Sequence, residues 1–271
     1  MTTPTGQLAI KDIAAVADVS RAAVSNWRAR HEDFPQPTPD SPPRRPLFDL
    51  QEVITWLKNK DLLPEGADKK QAMLALTAAA NELRAAHFDA ISAATLALYL
   101  LALQKRANSA KDDTAWQQVF AATTTGDLSH ALEQTPAPAG LDAATALPWD
   151  QIGRNLSDES VVNLLAGINR ADSLGYSTAA ETIIDAFFGI GGRGDISAFG
   201  SSNSLSSKLL SAAAATTTAA EETVFDPACG IGGTLIDLNT HVGELTLVGT
   251  DINPAPATIA QLHAFLTDAN A

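Results

Sequence analysis

The stretch Glu222-Thr223-Val224-Phe225-Asp226-Pro227-Ala228-Cys229-Gly230-Ile231-Gly232-Gly233 decides how the C-terminal part of the chain is read. Its first five residues are β-branched, aromatic and acidic, as in a short strand. Proline and glycine end that strand, and Thr234 to Leu238 then has the spacing of a helix. Strand, glycine loop and helix in this order leave free amides at the helix start that favour an anionic group. Glycines there also let a ligand approach where a Cβ would collide. A second strand is expected over Leu245 to Thr250, ending in Asp251, 21 residues after Gly230. In a doubly wound sheet an acidic side chain at about that distance receives ribose hydroxyls. The pattern points to a nucleoside-bearing cofactor.

The identity of that cofactor turns on the glycines. A dinucleotide fingerprint needs Gly-x-Gly-x-x-Gly, but Leu235 stands where the third glycine belongs, which disfavours NAD. No Gly-Lys-Ser or Gly-Lys-Thr occurs anywhere, so a Walker loop is absent. Cys229 sits inside the loop with no histidine beside it in sequence. It is read as a small side chain packed under the glycines rather than a nucleophile.

The run Asp226-Pro227-Ala228-Cys229-Gly230-Ile231-Gly232-Gly233 closely resembles the S-adenosylmethionine loop of N-6 adenine DNA methyltransferases, above all the modification subunits of type I restriction systems. Asp251-Ile252-Asn253-Pro254 is similar to the continuation found in that family. The resemblance spans about residues 222 to 265. It implies that Asp226 anchors the methionine amino end of S-adenosylmethionine, that Pro227 and Ala228 belong to the cofactor-binding loop, that Gly230 and Gly232 allow backbone approach, that Asp251 holds the ribose, and that Ile252 packs on the cofactor adenine. The family's Gly-x-Phe-x-Thr-Pro element has Gly194 to Ser202 in its place, without the Thr-Pro, so Phe199 and Ser201 receive no role.

Methylating an exocyclic amine requires a flipped-out base, held by polar acceptors and stacked on an aromatic ring in line with the methyl donor. The family provides this with Asn-Pro-Pro followed by Phe or Tyr, and no such motif follows Asp251. The one Pro-Pro, Pro42-Pro43, precedes Arg44 and has no strand before it. No catalytic residue is therefore assigned, and this chain alone is expected not to methylate DNA. The expected fold is a mainly α N-terminal part followed by an incomplete, truncated α/β Rossmann-like methyltransferase domain. It would be a fragment, a truncated product or half of a split enzyme.

Working outward, residues 189 to 200 hold five glycines, and a helix is expected from about Ser204 to Ala215. Upstream, Asp158 to Asn169 and Thr178 to Phe188 read as helices, and Asp68 to about Arg106 as two more, rich in Ala and Leu. Thr123 to Gly126 and Thr135 to Gly140 read as loop or linker. The expected units are residues 1–63, a helical region 68–188, and the methyltransferase start 189–271.

The first unit is a candidate DNA reader. Ile10 to Val16 is a short helix, Asp18-Val19-Ser20 a turn, and Ser20 a cap for a second helix from Arg21 to Arg30, which is helix-turn-helix spacing. Ala23, Val24 and Trp27 share a packing face, while Arg21, Ser25, Asn26, Arg28 and Arg30 lie elsewhere and suit base edges or phosphates. A proline-rich stretch from Phe34-Pro35 leads to Arg44 and Arg45, and Asp49 caps a helix carrying Val53, Ile54, Trp56 and Leu57. This resembles the winged helix-turn-helix of the MerR and excisionase type. Arg44 and Arg45 would then sit on a wing, where phosphate or minor-groove contacts are made. The other reading of the unit is a small protein-interaction module with solvated arginines.

Composition agrees with this placement. At 45% hydrophobic and 18% charged the chain can bury a core. Residues 1–63 hold 8 basic and 8 acidic residues, leaving 10 basic against 23 acidic afterwards, which accounts for the whole net charge of -13. Coating nucleic acid non-specifically needs clustered Lys and Arg, so DNA contact belongs first to the N-terminus. One cysteine and five scattered histidines disfavour a disulfide or a zinc site, and no metal is expected. The longest apolar stretch, Ala93 to Leu103, is too short for a bilayer span, and no signal sequence is present, which leads to an expectation of a soluble, cytoplasmic protein without membrane contact.

Two functions from different classes follow. The first is the DNA-binding and S-adenosylmethionine-binding portion of a site-specific adenine methyltransferase in restriction-modification or phage defence. Its partners would be DNA and a specificity or restriction subunit, or a chain carrying the rest of the methyltransferase domain. The alternative is a non-catalytic helix-turn-helix regulator that keeps a methyltransferase-like fold as a sensor or dimerisation unit. A small-molecule methyltransferase leaves the helix-turn-helix unexplained.

Overall fold

A computed structural model describes residues 7–39, 41–42, 46–64, 67–189, 223–242 and 245–269. The chain is mainly helical, with two small two-stranded sheets among the described residues. Arg44, Arg45, the stretch 194–202 and the helix expected at 204–215 lie outside the described residues.

The N-terminal module begins with β1 (Gln7–Ala9), α1 (Ile10–Val16) and α2 (Arg21–Arg30), and closes with β2 (Leu47–Asp49) and α3 (Leu50–Asn59). Two caps set its local structure. The Ser20 hydroxyl accepts from the Ala23 amide at 3.2 Å, and the Asp49 carboxylate accepts from the Glu52 amide at 3.0 Å. β1 runs antiparallel to β2, pairing Leu8 with Phe48. Pro37 bridges to Phe48, and the Thr38 amide donates to the Leu47 carbonyl, which brings Pro37 and Thr38 alongside β2. Ile13, Val16, Val24, Phe34, Phe48, Val53, Trp56 and Leu57 form a core of its own. Its aromatic centre has Phe34 edge-on to both Phe48 and Trp56.

The scaffold that follows is built on α4 (Ala67–Ala85) and α5 (Ala90–Ala110). α5 is apolar nearly all round and is buried from Ala93 to Lys105, which makes it the central element. Around it lie α6 (Thr114–Phe120), α7 (Thr125–Gln134), the short α8 (Ala143–Ala146), α9 (Trp149–Asn155), α10 (Asp158–Asn169) and α11 (Tyr176–Phe188). α10 meets α4 closely enough that a Cβ on Gly167 would lie 2.7 Å from the Ala75 carbonyl oxygen, so only glycine fits that crossing. α7 lies between the two stretches expected to be loop, 123–126 and 135–140, and takes in the end of the first. Its start is a capping box: the Thr124 hydroxyl accepts from the Asp127 amide, and the Asp127 carboxylate accepts from the Thr124 amide.

At the C-terminal side, β3 (Thr223–Asp226) and β4 (Thr246–Gly249) pair in parallel, Phe225 opposite Val248. α12 (Gly233–Val242) and α13 (Pro254–Leu266) follow them in turn. Strand, loop, helix, strand and helix thus occur in the expected order, but two strands do not amount to a Rossmann-like domain. One face of the pair carries Val224 and Leu247 into a small core with Cys229, Leu235, Leu238 and Leu245. The other face leaves Phe225 and Val248 exposed.

The main core does not divide at the glycine-rich stretch. Ile259, Leu262 and Leu266 of α13 belong to the same cluster as α4, α5, α10 and α11, and Ile231 of the glycine loop joins them. Lys105 fixes this junction: its buried ammonium donates to the carbonyls of Phe265 and Leu266 and pairs with Asp268 at 2.5 Å. A cation at the last carbonyls of α13 complements that helix end. Among the described residues no helix is long and apolar enough to cross a membrane.

Candidate cofactor and nucleic-acid sites

The glycine loop is held between the C-terminal ends of β3 and β4. The Thr250 amide donates to the Asp226 carbonyl and the Cys229 amide to the Thr250 carbonyl, both at 2.9 Å, so the parallel ladder continues one step into the loop. The Gly230 amide then donates to Asp251 Oδ2 at 2.9 Å. Asp251 Oδ1 accepts from the Asn253 amide at 2.8 Å, and the Asn253 side chain caps α13 by accepting from the Ala255 amide. The two expected cofactor residues, Gly230 and Asp251, are therefore brought into direct contact. Each Asp251 oxygen takes one described amide, and a carboxylate offers about four acceptor positions, so capacity remains on both.

Asp226 lies beside them. Its Oδ1 accepts from the Ala228 amide at 3.0 Å, a local turn that orients Pro227 and Ala228, both exposed. Gly230 and Gly232 have positive φ, +53° and +80°, which a residue with a Cβ adopts at a cost. A Cβ on Gly232 would stand 2.8 Å from the Ala260 Cβ, so on that side the glycine admits α13, while Gly232 also borders the cavity beside the loop. Ile252, expected to pack on an adenine, projects fully into solvent.

Cys229 is buried, and its thiol is pushed above the usual range, first by burial and then by the carboxylates of Asp226 and Asp251. A thiol so placed is held protonated, which opposes a nucleophilic role. Sequence reasoning missed its partner Gly249, on which a Cβ would lie 3.0 Å from Cys229 Cβ, Cys229 Sγ and Leu235. The signal was a glycine inside an apolar strand, a mark of close approach.

A cavity of about 830 Å3 opens beside this loop. Cys229, Gly232, Gly249, Thr250 and Asp251 form one wall, and Pro254, Ala257, Gln261 and Phe265 of α13 form another. Gln261 donates to the Ala139 carbonyl at 2.8 Å, closing the end nearest the scaffold. Its size falls within the range of small-molecule sites, roughly 300–1,000 Å3.

In the N-terminal module, Arg21, Ser25, Asn26, Arg28 and Arg30 are all exposed on α2. Arg21, Ser25 and Arg28 fall along one stripe at helical spacing, flanked by the small residues Ala22 and Ala29, while Asn26 and Arg30 stand to the side. The Ser25 hydroxyl donates to the Arg21 carbonyl at 3.0 Å. None of the three guanidinium groups has a hydrogen bond or ion pair to a described residue. Nearby lysines are engaged: Lys60 pairs with Asp33 at 2.9 Å and Lys70 with Asp18 at 3.5 Å. The Lys60 ammonium beside Asp33 holds that carboxyl below its ordinary value.

Comparison of the chain with protein-family models, with curated proteins and with solved structures finds no match.

Proposed function

We propose that this chain is the DNA-binding and S-adenosylmethionine-binding portion of a site-specific adenine-N-6 DNA methyltransferase of restriction-modification or phage-defence type. In this reading residues 1–63 read DNA, residues 68–188 are scaffold, and residues 189–271 begin a Rossmann-like cofactor domain. The observation that carries it is the contact between the Gly230 amide and the Asp251 carboxylate across the ends of two parallel strands. It joins the glycine loop to the acid that ribose recognition requires.

The residues present fit the cofactor. Asp226, Pro227 and Ala228 lie at the loop for its amino acid end, Asp251 retains acceptor capacity for ribose hydroxyls, and Ile252 offers an uncommitted apolar surface for a base. S-adenosylmethionine, when bound, supplies an electrophilic methyl group. The chain's own residues bind and orient it, and Asp251 also borders the cavity beside the loop. The partners in this reading are DNA and a chain that supplies the target-adenine pocket, or a specificity or restriction subunit.

The test is calorimetric titration of S-adenosylmethionine into the chain and into Asp251→Ala and Asp251→Asn, each checked for folding by its thermal transition. Binding by the wild type, weakened in the asparagine variant and lost in the alanine variant, supports the reading. A folded wild type that takes up no S-adenosylmethionine overturns it. The non-catalytic regulator is favoured by one observation: a Cβ on Gly232 would meet Ala260, so this glycine has a packing role independent of any ligand.

A further inference from the structure

Among the arginines of α2, Arg28 differs in its surroundings. Its guanidinium carbon lies 5.7 Å from the centre of the Phe48 ring, within reach of a cation–π contact. Phe48 is fully buried in β2, where Phe34 packs edge-on against it at 5.6 Å. Close packing holds the ring, and the Arg28 guanidinium lies over it. Pro37 and Thr38 also meet Phe48 and Leu47 of β2. Arg28 thus stands near the place where the exposed stripe of α2 borders the Pro37–Thr38 segment. Having no carboxylate partner among the described residues, it keeps its donors uncommitted.

A helix seated in the major groove is bordered by the sugar-phosphate strands that wall the groove. An element standing beside that helix must cross one of those strands to reach the next groove. With α2 so seated, that strand would pass between α2 and the Pro37–Thr38 segment. We infer that Arg28 is a phosphate clamp rather than a base reader, and that the Phe48 ring is the positioning residue that sets its guanidinium plane. The inference rests on the DNA-binding reading of residues 1–63 and adds the chemical group that Arg28 takes. A planar guanidinium held in place suits bidentate phosphate contact and loses little freedom on binding.

The test measures binding of the full chain to two labelled duplexes of equal length, one selected by the chain from a random-sequence library and one unrelated, across a series of salt concentrations. Arg28→Gln, Arg28→Lys and Phe48→Leu are compared with the wild type. A phosphate clamp predicts that Arg28→Gln weakens both duplexes by the same factor, roughly five- to tenfold at 0.1 M salt, and lowers the salt slope by about one. Arg28→Lys keeps the slope, because the charge remains. Phe48→Leu also keeps the slope but weakens both duplexes, and a purely structural role for the ring would instead appear as a lost thermal transition. Should Arg28→Gln weaken the selected duplex and spare the unrelated one, Arg28 reads a base and the inference is overturned. No change in either duplex overturns it as well. A folded wild type that binds neither duplex removes the DNA reading itself, an outcome distinct from both.

Discussion

In the N-terminal module Arg21, Arg28 and Arg30 stand outside a self-contained core, whereas in the C-terminal unit Asp226, Gly230 and Asp251 bond into the loop and the next helix runs into the scaffold. The first arrangement separates recognition from folding: Arg21 or Arg30 can change without touching Val24 or Phe48. The second joins them. Asp251 holds Gly230, and Gly232 accommodates α13, so the residues proposed to bind a cofactor also build the unit that presents it. Changes in the two regions should accordingly differ in how far their effects spread.

The largest test of that difference is Leu262→Ala. Leu262 is fully buried where α13 enters the scaffold core, and truncation of such a leucine costs about 2–5 kcal/mol. Amide hydrogen exchange read peptide by peptide should show faster exchange in α4, α5, α10 and α13 together, with the glycine loop following them. The N-terminal module should change little, because Lys70–Asp18 and the packing of Leu74 are its side-chain links to α4. Equal acceleration in α1 and α2 would break the comparison.

Acid should act on the same side of the molecule. His263 on α13 is buried, and burial pushes its pKa down to about 4 although the backbone of Ile231 favours the protonated ring. The unfolded chain binds this proton near pH 6.5, so the unfolded state holds more protons between the two values. Stability contributed by the neutral imidazole is present above about pH 6.5 and is lost as pH falls toward 4, on the order of 3 kcal/mol in all. The carboxyls of Asp33, Asp112 and Asp127 are lowered from 3.8, so their contributions fade only in more acidic solution. Glu181, raised by burial and by Asp185 and Asp237, gains stability on protonation and opposes the trend. Urea unfolding from pH 7 to pH 4.5 should show the decline, and His263→Leu should flatten it. An unchanged slope in that variant would assign the acid sensitivity elsewhere.

Much of this contrast was legible in the residues. The bounds of α2 and α10 follow from a cap and a 3.6-residue period, with Ser20 and Ser157 each accepting an amide in the first turn, and those of α1 from its apolar spacing. The loop chemistry at 226–233 was legible because proline and glycine constrain the backbone locally. α7 was missed because its Thr-Thr-Thr-Gly start looks like a linker until the reciprocal Thr124 and Asp127 bonds are seen. The union of α13 with α5 was missed for a different reason. Lys105 and Asp268 are 163 residues apart, and neither the buried ammonium nor the carbonyls it caps leave a local pattern. The packing of Gly232 against Ala260 was hidden in the same way, since a glycine making room for a helix looks in sequence like one making room for a ligand.

The smallest expected effect gives the sharpest comparison. Ser20 is exposed, and its hydroxyl caps α2 through the Ala23 amide. Ser20→Ala removes one acceptor from the first turn and costs about 1 kcal/mol, within a range of 0.5–2. The loss should appear as faster exchange in α2 alone, because α2 packs within the N-terminal core and nothing in α4 or α13 leans on its first turn. DNA affinity should fall more than scaffold stability, since fraying at Arg21 disturbs the exposed stripe while leaving Val24 buried. S-adenosylmethionine titration should be unaffected. If cofactor binding fell together with exchange protection in α2, the module and the scaffold would be coupled through the Asp18 turn, whose carboxylate meets Lys70 at 3.5 Å.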